Sequence, residues 1–224
     1  MLKITWWGHA CIELECDNVK LLIDPHDGTS IGVNIPRPRV KPDYILVTHE
    51  HYDHNAVEPF LETAKSVIRE KVGSFKLGPY SVKGVRLPHD EFEGKVRGHV
   101  VAYRIECKGI KLVHFSDLGR TLNDREIAEL EPPVNIGIVP AGDVYTLHPI
   151  DAIKVVEQVG ALIAIPVHYW VPGVYLPLDT VELFITNARK KGWVIRRMDS
   201  NSIVVSVDDL PEKPTIVVLS MPKG

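Results

Sequence analysis

Apolar and polar positions change rhythm about half-way along this chain. In the first part, short β-branched and aliphatic runs are cut by Gly, Pro and Asp, which is a strand-and-turn pattern. Residues 3–7, 11–16 and 20–23 predict a three-strand meander, with Asp17-Asn18 as its second turn and Asp24-Pro25 ending the third strand. The stretch 26–42, rich in Gly and Pro, reads as a loop of a length that usually serves a function. The apolar run 44–47 is too short for a helix and reads as a buried strand. A helix is expected from Asn55, whose spacing to Glu58 suits a capping box, or slightly later with Pro59 in the first turn. Further strands are expected at 66–69, 80–87, 99–107 and 111–115, with Gly109 in a tight hairpin turn between the last two.

The second part alternates helix and strand. Helices are predicted over 123–130, 149–159 and 178–191. Pro149 opens the second, Asp179 or Thr180 stands near the start of the third, and Gly160 and Gly192 close them. Strands are predicted over 136–139, 162–166, 193–197, 203–207 and 215–219. Many strands flanked by helices predict an α/β fold whose sheets are covered on their outer faces. No repeat, low-complexity tract or linker interrupts the pattern, so residues 1–224 are expected to form a single domain.

Bulk properties narrow the partners. A hydrophobic fraction of 45% and a charged fraction of 25% are ordinary for a globular chain. The formal charge of -3 argues against indiscriminate binding to nucleic acid or an anionic membrane. A small anionic substrate held by a local basic patch stays open, and Arg37, Arg39, Lys41 and Arg120 are the candidates for that patch. Cys11, Cys16 and Cys107 are sparse and odd in number, and Cys11 and Cys16 should face opposite sides of one strand. No disulfide framework is expected, and a reducing cytosol, hence a cytoplasmic location, is the natural compartment. The N-terminal residues lack a signal-peptide pattern, and no run of about eighteen apolar residues predicts a membrane span.

Chemistry concentrates directly behind the strand at 44–47. His49, His51, Asp53 and His54 fall within six positions of the segment Thr48-His49-Glu50-His51-Tyr52-Asp53-His54-Asn55. Imidazole nitrogen and carboxylate oxygen are the donors preferred by borderline divalent metals such as zinc. Residues two apart on extended chain point the same way, so His49 and His51 can grip one ion. Asp53 and His54, beyond the turn, would face a neighbouring position, so the spacing alone allows a two-metal centre. Other ligands should stand at other strand ends, where His89, Asp117 and His168 each follow an apolar run. His99 competes with His89 but heads a strand; it is set aside on the expectation that strand beginnings and ends lie on opposite rims.

The order His-x-His-x-Asp-His, then His89, Asp117 in a His-x-x-Asp context and His168, resembles the metallo-β-lactamase superfamily. Gly8-His9-Ala10-Cys11, Leu22-Ile23-Asp24-Pro25 and Pro166-Val167-His168-Tyr169 further resemble compact metal-dependent hydrolases related to L-ascorbate-6-phosphate lactonase. The resemblance covers almost the whole chain. It implies a four-layer αβ/βα sandwich with two divalent ions, zinc by default and manganese or iron as alternatives. One ion would be held by His49, His51 and His89, the other by Asp53, His54 and His168, with Asp117 bridging. An Asp at 117 points away from β-lactam hydrolysis, whose enzymes generally lack it. His9 would orient substrate or move a proton, or serve as a structural hydrogen-bonding residue; Asp53 is a catalytic candidate besides a ligand. Asp24 would act directly or orient a ligand, His114 faces inward, and His26 and His148 are expected in surface or loop roles.

Metal binding lowers the pKa of water from about 16 towards 7. The expected reaction is therefore attack by a metal-bound hydroxide on a small ester, lactone or phosphoester, with no Ser or Cys nucleophile. The segment Pro140-Ala141-Gly142-Asp143 and the loop 169–177 would wall the groove, with Asp143 and Tyr169 either contacting substrate or holding structural loop roles. Three rivals stand beside this reading: a phosphodiesterase or nuclease, a one-iron oxygenase, and a metal-stabilised binding module without turnover. Self-association into a homo-oligomer is expected only by analogy.

Overall fold

The computed structural model describes residues 1–222. In chain order its strands begin with β1 (Leu2–Trp6), β2 (Ile12–Cys16), β3 (Val19–Ile23), β4 (Tyr44–Val47) and β5 (Ser66–Arg69). There follow β6 (Gly73–Leu77), β7 (Tyr80–Pro88), β8 (His99–Cys107), β9 (Ile110–His114) and β10 (Ile136–Pro140). The last are β11 (Ile163–Val167), β12 (Val194–Arg197), β13 (Ser202–Val205) and β14 (Thr215–Val218). Three helices, α1 (Asp124–Leu130), α2 (Pro149–Gln158) and α3 (Glu182–Lys190), complete the framework.

Two mixed sheets result. One runs β13-β1-β2-β3-β4-β5, the other β12-β14-β11-β10-β9-β8-β7-β6. The hairpin turn at Asp17 and Asn18 takes both residues to positive φ, 51° and 59°, the conformation that matches strand twist in a two-residue turn. β10 and β11 are buried at every position, as parallel strands covered on both faces must be. The main core lies between the sheets, where Trp6, Tyr80, Tyr103 and Phe115 are among the largest fully buried side chains. The Tyr80 hydroxyl sits between the carbonyls of Leu14 and Val19, at 2.9 and 2.8 Å, so its polar end is satisfied while the ring fills the core.

Topology decides where the strands end. β3 and β4 are parallel, and so are β9, β10 and β11. β7 is antiparallel to β8, which is antiparallel to β9, so β7 and β9 leave their sheet in the same direction. The same antiparallel pairing corrects the expectation about His99. It sits opposite Pro88 in register, on the rim where β7 ends. Its ring packs on Gly94, where an added Cβ would lie 2.6 Å from it, so position on the wrong rim is not what separates it from His89.

Several expected elements shift for identifiable reasons. No α-helix starts at Asn55. Its amide turns back to the Glu50 carbonyl and carboxylate, and only a 3₁₀ turn at Glu58–Phe60 forms, with Pro59 at its start. That turn places Val57 and Phe60 on the outer face of the six-stranded sheet, with Cys11, Leu22, Ile45 and Val47. α3 begins at Glu182 rather than near 178, because Asp179 spends its N–H on the Gly142 carbonyl and its carbonyl on the Trp170 N–H. β6 was not anticipated: it alternates exposed and half-buried positions and opens with a glycine. α1 has the capping box, with Asn123 and Glu126 bonding reciprocally.

The cysteines overturn one expectation outright. Cys16 and Cys107 form a disulfide across a sequence separation of 91, joining β2 of one sheet to β8 of the other. The parity argument for Cys11 holds: it is buried and free on the outer face, with Cys16 in the main core. It could not reveal a partner from the other sheet, and the bond removes the cysteine-based reason for a reducing compartment. No helix among the described residues is long and apolar enough to cross a membrane.

Candidate metal centre

Seven predicted ligand residues come from four strand ends on one rim. β4 turns directly into the loop bearing His49, His51, Asp53 and His54; β7 delivers His89, β9 Asp117 and β11 His168. Their donor atoms fall into two groups with all atoms within 4.8 Å, His49, His51, His89 and Asp117, and Asp53, His54 and His168 with His9; a third such group joins Asp24 to His49 and His54. Asp117 joins the groups. Its Oδ2 lies 3.3 Å from Nε2 of His54, 3.4 Å from that of His89 and 3.3 Å from that of His168, with His49 at 3.9 Å. His49 Nε2 and His51 Nδ1 face each other at 3.0 Å. All seven are buried except His51, which stands at the mouth.

His9 belongs to this set by position. Its carbonyl accepts the His168 N–H at 3.0 Å and the Trp6 indole N–H at 2.8 Å, tying the loop after β1 to the end of β11. Its ring lies 4.2 Å from that of His168, and its Nε2 is 2.8 Å from Asp53 Oδ2. Asp24, entirely buried at the end of β3, accepts from the Thr48 N–H and hydroxyl, from the Ser116 hydroxyl and from His54 Nδ1 at 3.0 Å. It therefore fixes the ring of His54 with Nε2 aimed at Asp117. A carboxylate behind an imidazole is the usual device for orienting a metal ligand. Of the two open roles for Asp24, the structure favours the orienting one.

Backbone strain clusters at the same rim. His9, Asp24, Ser116 and His168 all have φ of 50–51°, the left-handed region that residues other than Gly rarely adopt. Close approach is also enforced: a Cβ on Gly142 would lie 2.3 Å from the His168 carbonyl oxygen, and one on Gly119 would lie 2.1 Å from the Asp90 nitrogen. Only glycine lets these loops pack against the two ligand-bearing ends.

The electrostatics suit a bound cation. Three buried carboxylates, Asp24, Asp53 and Asp117, converge on rings that burial otherwise keeps neutral. Desolvation brings both His9 and His49 down to about 3. Burial also opposes charge on His54, but Asp117, Asp53 and Asp24 outweigh it and hold that ring well above the ordinary histidine value. Burial resists ionisation of Asp117, yet His168 and His54 keep its carboxyl well below the usual range. Asp117 Oδ1 and His54 Nε2 are buried and lack any hydrogen-bond partner among the described residues. Unpartnered donor atoms of this kind are what a metal would satisfy.

The other sequence candidates separate cleanly. His114 is internal, its Nε2 on the Ala10 carbonyl at 2.9 Å. His26 is buried in its loop with Nε2 on the Trp7 carbonyl, and His148 caps α2. Tyr169 is buried and stacked on Trp6 at 5.2 Å, which gives it the structural of its two open roles. Asp143 lines an adjoining cavity instead. The basic patch is also corrected. Arg120 is consumed by Glu93, Glu126 and the Thr121 carbonyl, and Arg37, Arg39 and Lys41 do not line the groove. The groove over the centre, about 320 Å³, is walled beyond the ligands by Tyr52, Arg97, Tyr145 and Leu176. Leu176 comes from the loop 169–177 expected to wall the groove, whereas Tyr52, Arg97 and Tyr145 were not expected there. Position was the available signal for Arg97, since its loop leaves the same rim directly after His89.

Paired mixed sheets with His and Asp converging on one rim define the metallo-β-lactamase fold. The chain belongs to the β-lactamase superfamily, whose domain model matches residues 3–168, and within it to the UPF0173 metal-dependent hydrolase family. A relative of that name from Methanopyrus kandleri is 30% identical, over 80% of this chain and 87% of its own length. A UPF0173 protein from Pyrococcus furiosus is 31% identical, over 87% of this chain and 94% of its own. A solved structure from Thermotoga maritima, classed as a Zn-dependent hydrolase of the metallo-β-lactamase superfamily, superposes with a TM-score of 0.77 at 26% identity. It covers 99% of this chain and all of its own. A metallo hydrolase from Ignicoccus hospitalis, with a TM-score of 0.69 and 19% identity over 100% of this chain and 96% of its own, shares the fold.

Proposed function

We propose that this protein is a metal-dependent hydrolase of small esters, lactones or phosphoesters, working at a two-cation centre. His49, His51 and His89 would hold one ion, Asp53, His54 and His168 the other, and Asp117 would bridge them. The observation that carries this reading is Asp117 Oδ2, met by Nε2 of His54, His89 and His168 at 3.3–3.4 Å from three different strand ends. Zinc suits a donor set of imidazoles and carboxylates. When bound, the ions supply Lewis acidity and acidify a water molecule to a nucleophile.

The chain's own residues set the geometry. Asp24 orients His54, and His9, through its 2.8 Å contact with Asp53, holds that carboxylate towards His54. His9 is thus a positioning residue, with its Nε2 engaged rather than open to substrate. Tyr52, Tyr145 and Leu176 present apolar surface beside the ligands, enough for a small molecule. A groove of about 320 Å³ with a single arginine on its wall disfavours a polynucleotide. The lactone option rests on the motif resemblance around His9, Asp24 and His168.

Turnover of a panel of lactones, nitrophenyl esters and phosphodiesters by zinc- and manganese-loaded protein tests the proposal. Hydrolysis of at least one class, abolished in Asp117→Ala, is expected. Fully metallated protein that binds panel compounds without turning any over would favour a binding module.

A further inference from the structure

Arg97 is the cation on the groove wall that no other role explains. Its guanidinium makes no ion pair or side-chain hydrogen bond among the described residues, whereas Arg120 nearby is saturated by two glutamates. It lies over the Tyr145 ring, 5.3 Å from Cζ to the centroid. That contact steadies the head without satisfying its donors.

Both partners are delivered by built features. Asp90, next to His89, accepts four main-chain N–H groups: Phe92 at 2.8 Å and Gly94 at 2.9 Å on Oδ1, Val96 at 2.9 Å and Arg97 at 2.7 Å on Oδ2. The loop is wound around one carboxylate, and Arg97 is its last anchored residue. Tyr145 follows Asp143 and Val144, whose φ of 54° and 52° is unusual, above all for a β-branched residue. Arg97 and Tyr145 together divide the metal groove from an adjoining cavity of about 350 Å³ lined by Asp143, Thr146 and Asp151.

We propose that Arg97 is the specificity-determining residue of the site and selects substrates with an anionic group, a carboxylate or phosphate, set off from the bond to be cleaved. Its planar fork matches such a group with two parallel hydrogen bonds, and its donors are not already held by a protein partner among the described residues. The adjoining cavity offers no competing free arginine or lysine among the described residues, since Arg120 there is paired with Glu93 and Glu126, so the charged end stops at Arg97 while the scissile group rests on the metal ligands. This inference rests on the hydrolase reading for its reaction, but the anion site itself does not.

Two measurements on metallated protein test it, with wild type, Arg97→Gln, Arg97→Lys and Arg37→Gln compared. In the first, kcat/KM is taken for neutral 4-nitrophenyl acetate and for anionic 4-nitrophenyl hydrogen succinate. The preference for the anionic ester should fall roughly tenfold to a hundredfold in Arg97→Gln, the range of a charge-assisted hydrogen-bond pair. It should be partly kept in Arg97→Lys and unchanged in Arg37→Gln, which lies outside the groove. In the second, calorimetric titration with succinate and with inorganic phosphate reads anion binding directly, and the tighter of the two identifies the head group. Binding weakened by a similar factor in Arg97→Gln, at unchanged metal content, supports the site even if neither ester is turned over; that outcome would count against the hydrolase reading alone. Equal anion affinity in wild type and Arg97→Gln, or an unchanged ester preference, overturns the assignment.

Discussion

At the level of single residues, the site is a set of carboxylates holding imidazoles in place, and Asp24 makes the dependence testable. Replacing it by Ala would leave the Thr48 and Ser116 groups and His54 Nδ1 without their acceptor. Each buried group left unpaired costs roughly 1–3 kcal/mol. Loss of the orienting partner weakens metal affinity about 10- to 100-fold. Chelator competition with urea denaturation should register both effects; unchanged affinity would mean that Asp24 only supports the fold. His26 gives a pH signature from a buried ring outside the candidate ligand set. Burial lowers its pKa from the usual 6.5 to about 4, so the folded protein keeps the ring neutral while the unfolded chain takes up a proton. Stability from this residue is complete above pH 6.5 and is lost as pH falls towards 4, by up to about 3 kcal/mol. In urea titrations of chelator-treated protein, His26→Gln should flatten that part of the pH profile, and identical profiles would contradict the linkage. The seven ligand candidates were legible because ligand types recur at ends of apolar runs. Arg97 and Tyr145 were not, since an arginine or tyrosine in a polar loop carries no periodic or compositional mark.

At the level of elements, parallel strands bring separate ends to one rim, and loops complete the site. Apart from β6, the strands were readable from apolar runs, and so was α1 from Asn123 and Glu126. What failed was local competition for backbone groups. Asn55 found Glu50 instead of a helix end, and Asp179 paired with Gly142 and Trp170 before α3 could begin. His99 shows a different failure: hydrophobic pattern gives a strand but not its direction. The loop between β7 and β8 should depend on Asp90. Burial resists the charge there, but the four N–H donors prevail and keep the carboxyl below the usual range. Its contribution is therefore present above about pH 4 and fades as pH drops through the lower folded value. Asp90→Ala should speed hydrogen exchange at the Phe92, Gly94, Val96 and Arg97 amides while the exchange of β10 and β11 stays slow. Unaltered exchange in the loop would show that packing alone holds it.

At the level of the whole molecule, the two sheets meet in one apolar core and are cross-linked between β2 and β8. Closing a loop with a sequence separation of 91 by a disulfide stabilises by about 4–5 kcal/mol in the chain-entropy picture. Reduction, or the Cys16→Ala/Cys107→Ala pair, should lower the guanidinium midpoint accordingly, and an unchanged midpoint would show that the bond adds nothing. The disulfide lay beyond the sequence because pairing across sheets depends on topology that spacing does not encode. Cation binding by the rim where both sheets end is the claim on which the functional reading stands, and metal stoichiometry decides it. Elemental analysis of protein purified without chelator should find about two divalent ions per chain, falling in His89→Ala and His168→Ala and nearly vanishing in Asp117→Ala. Protein carrying no stoichiometric metal, or the same content in all three variants, would contradict the assignment.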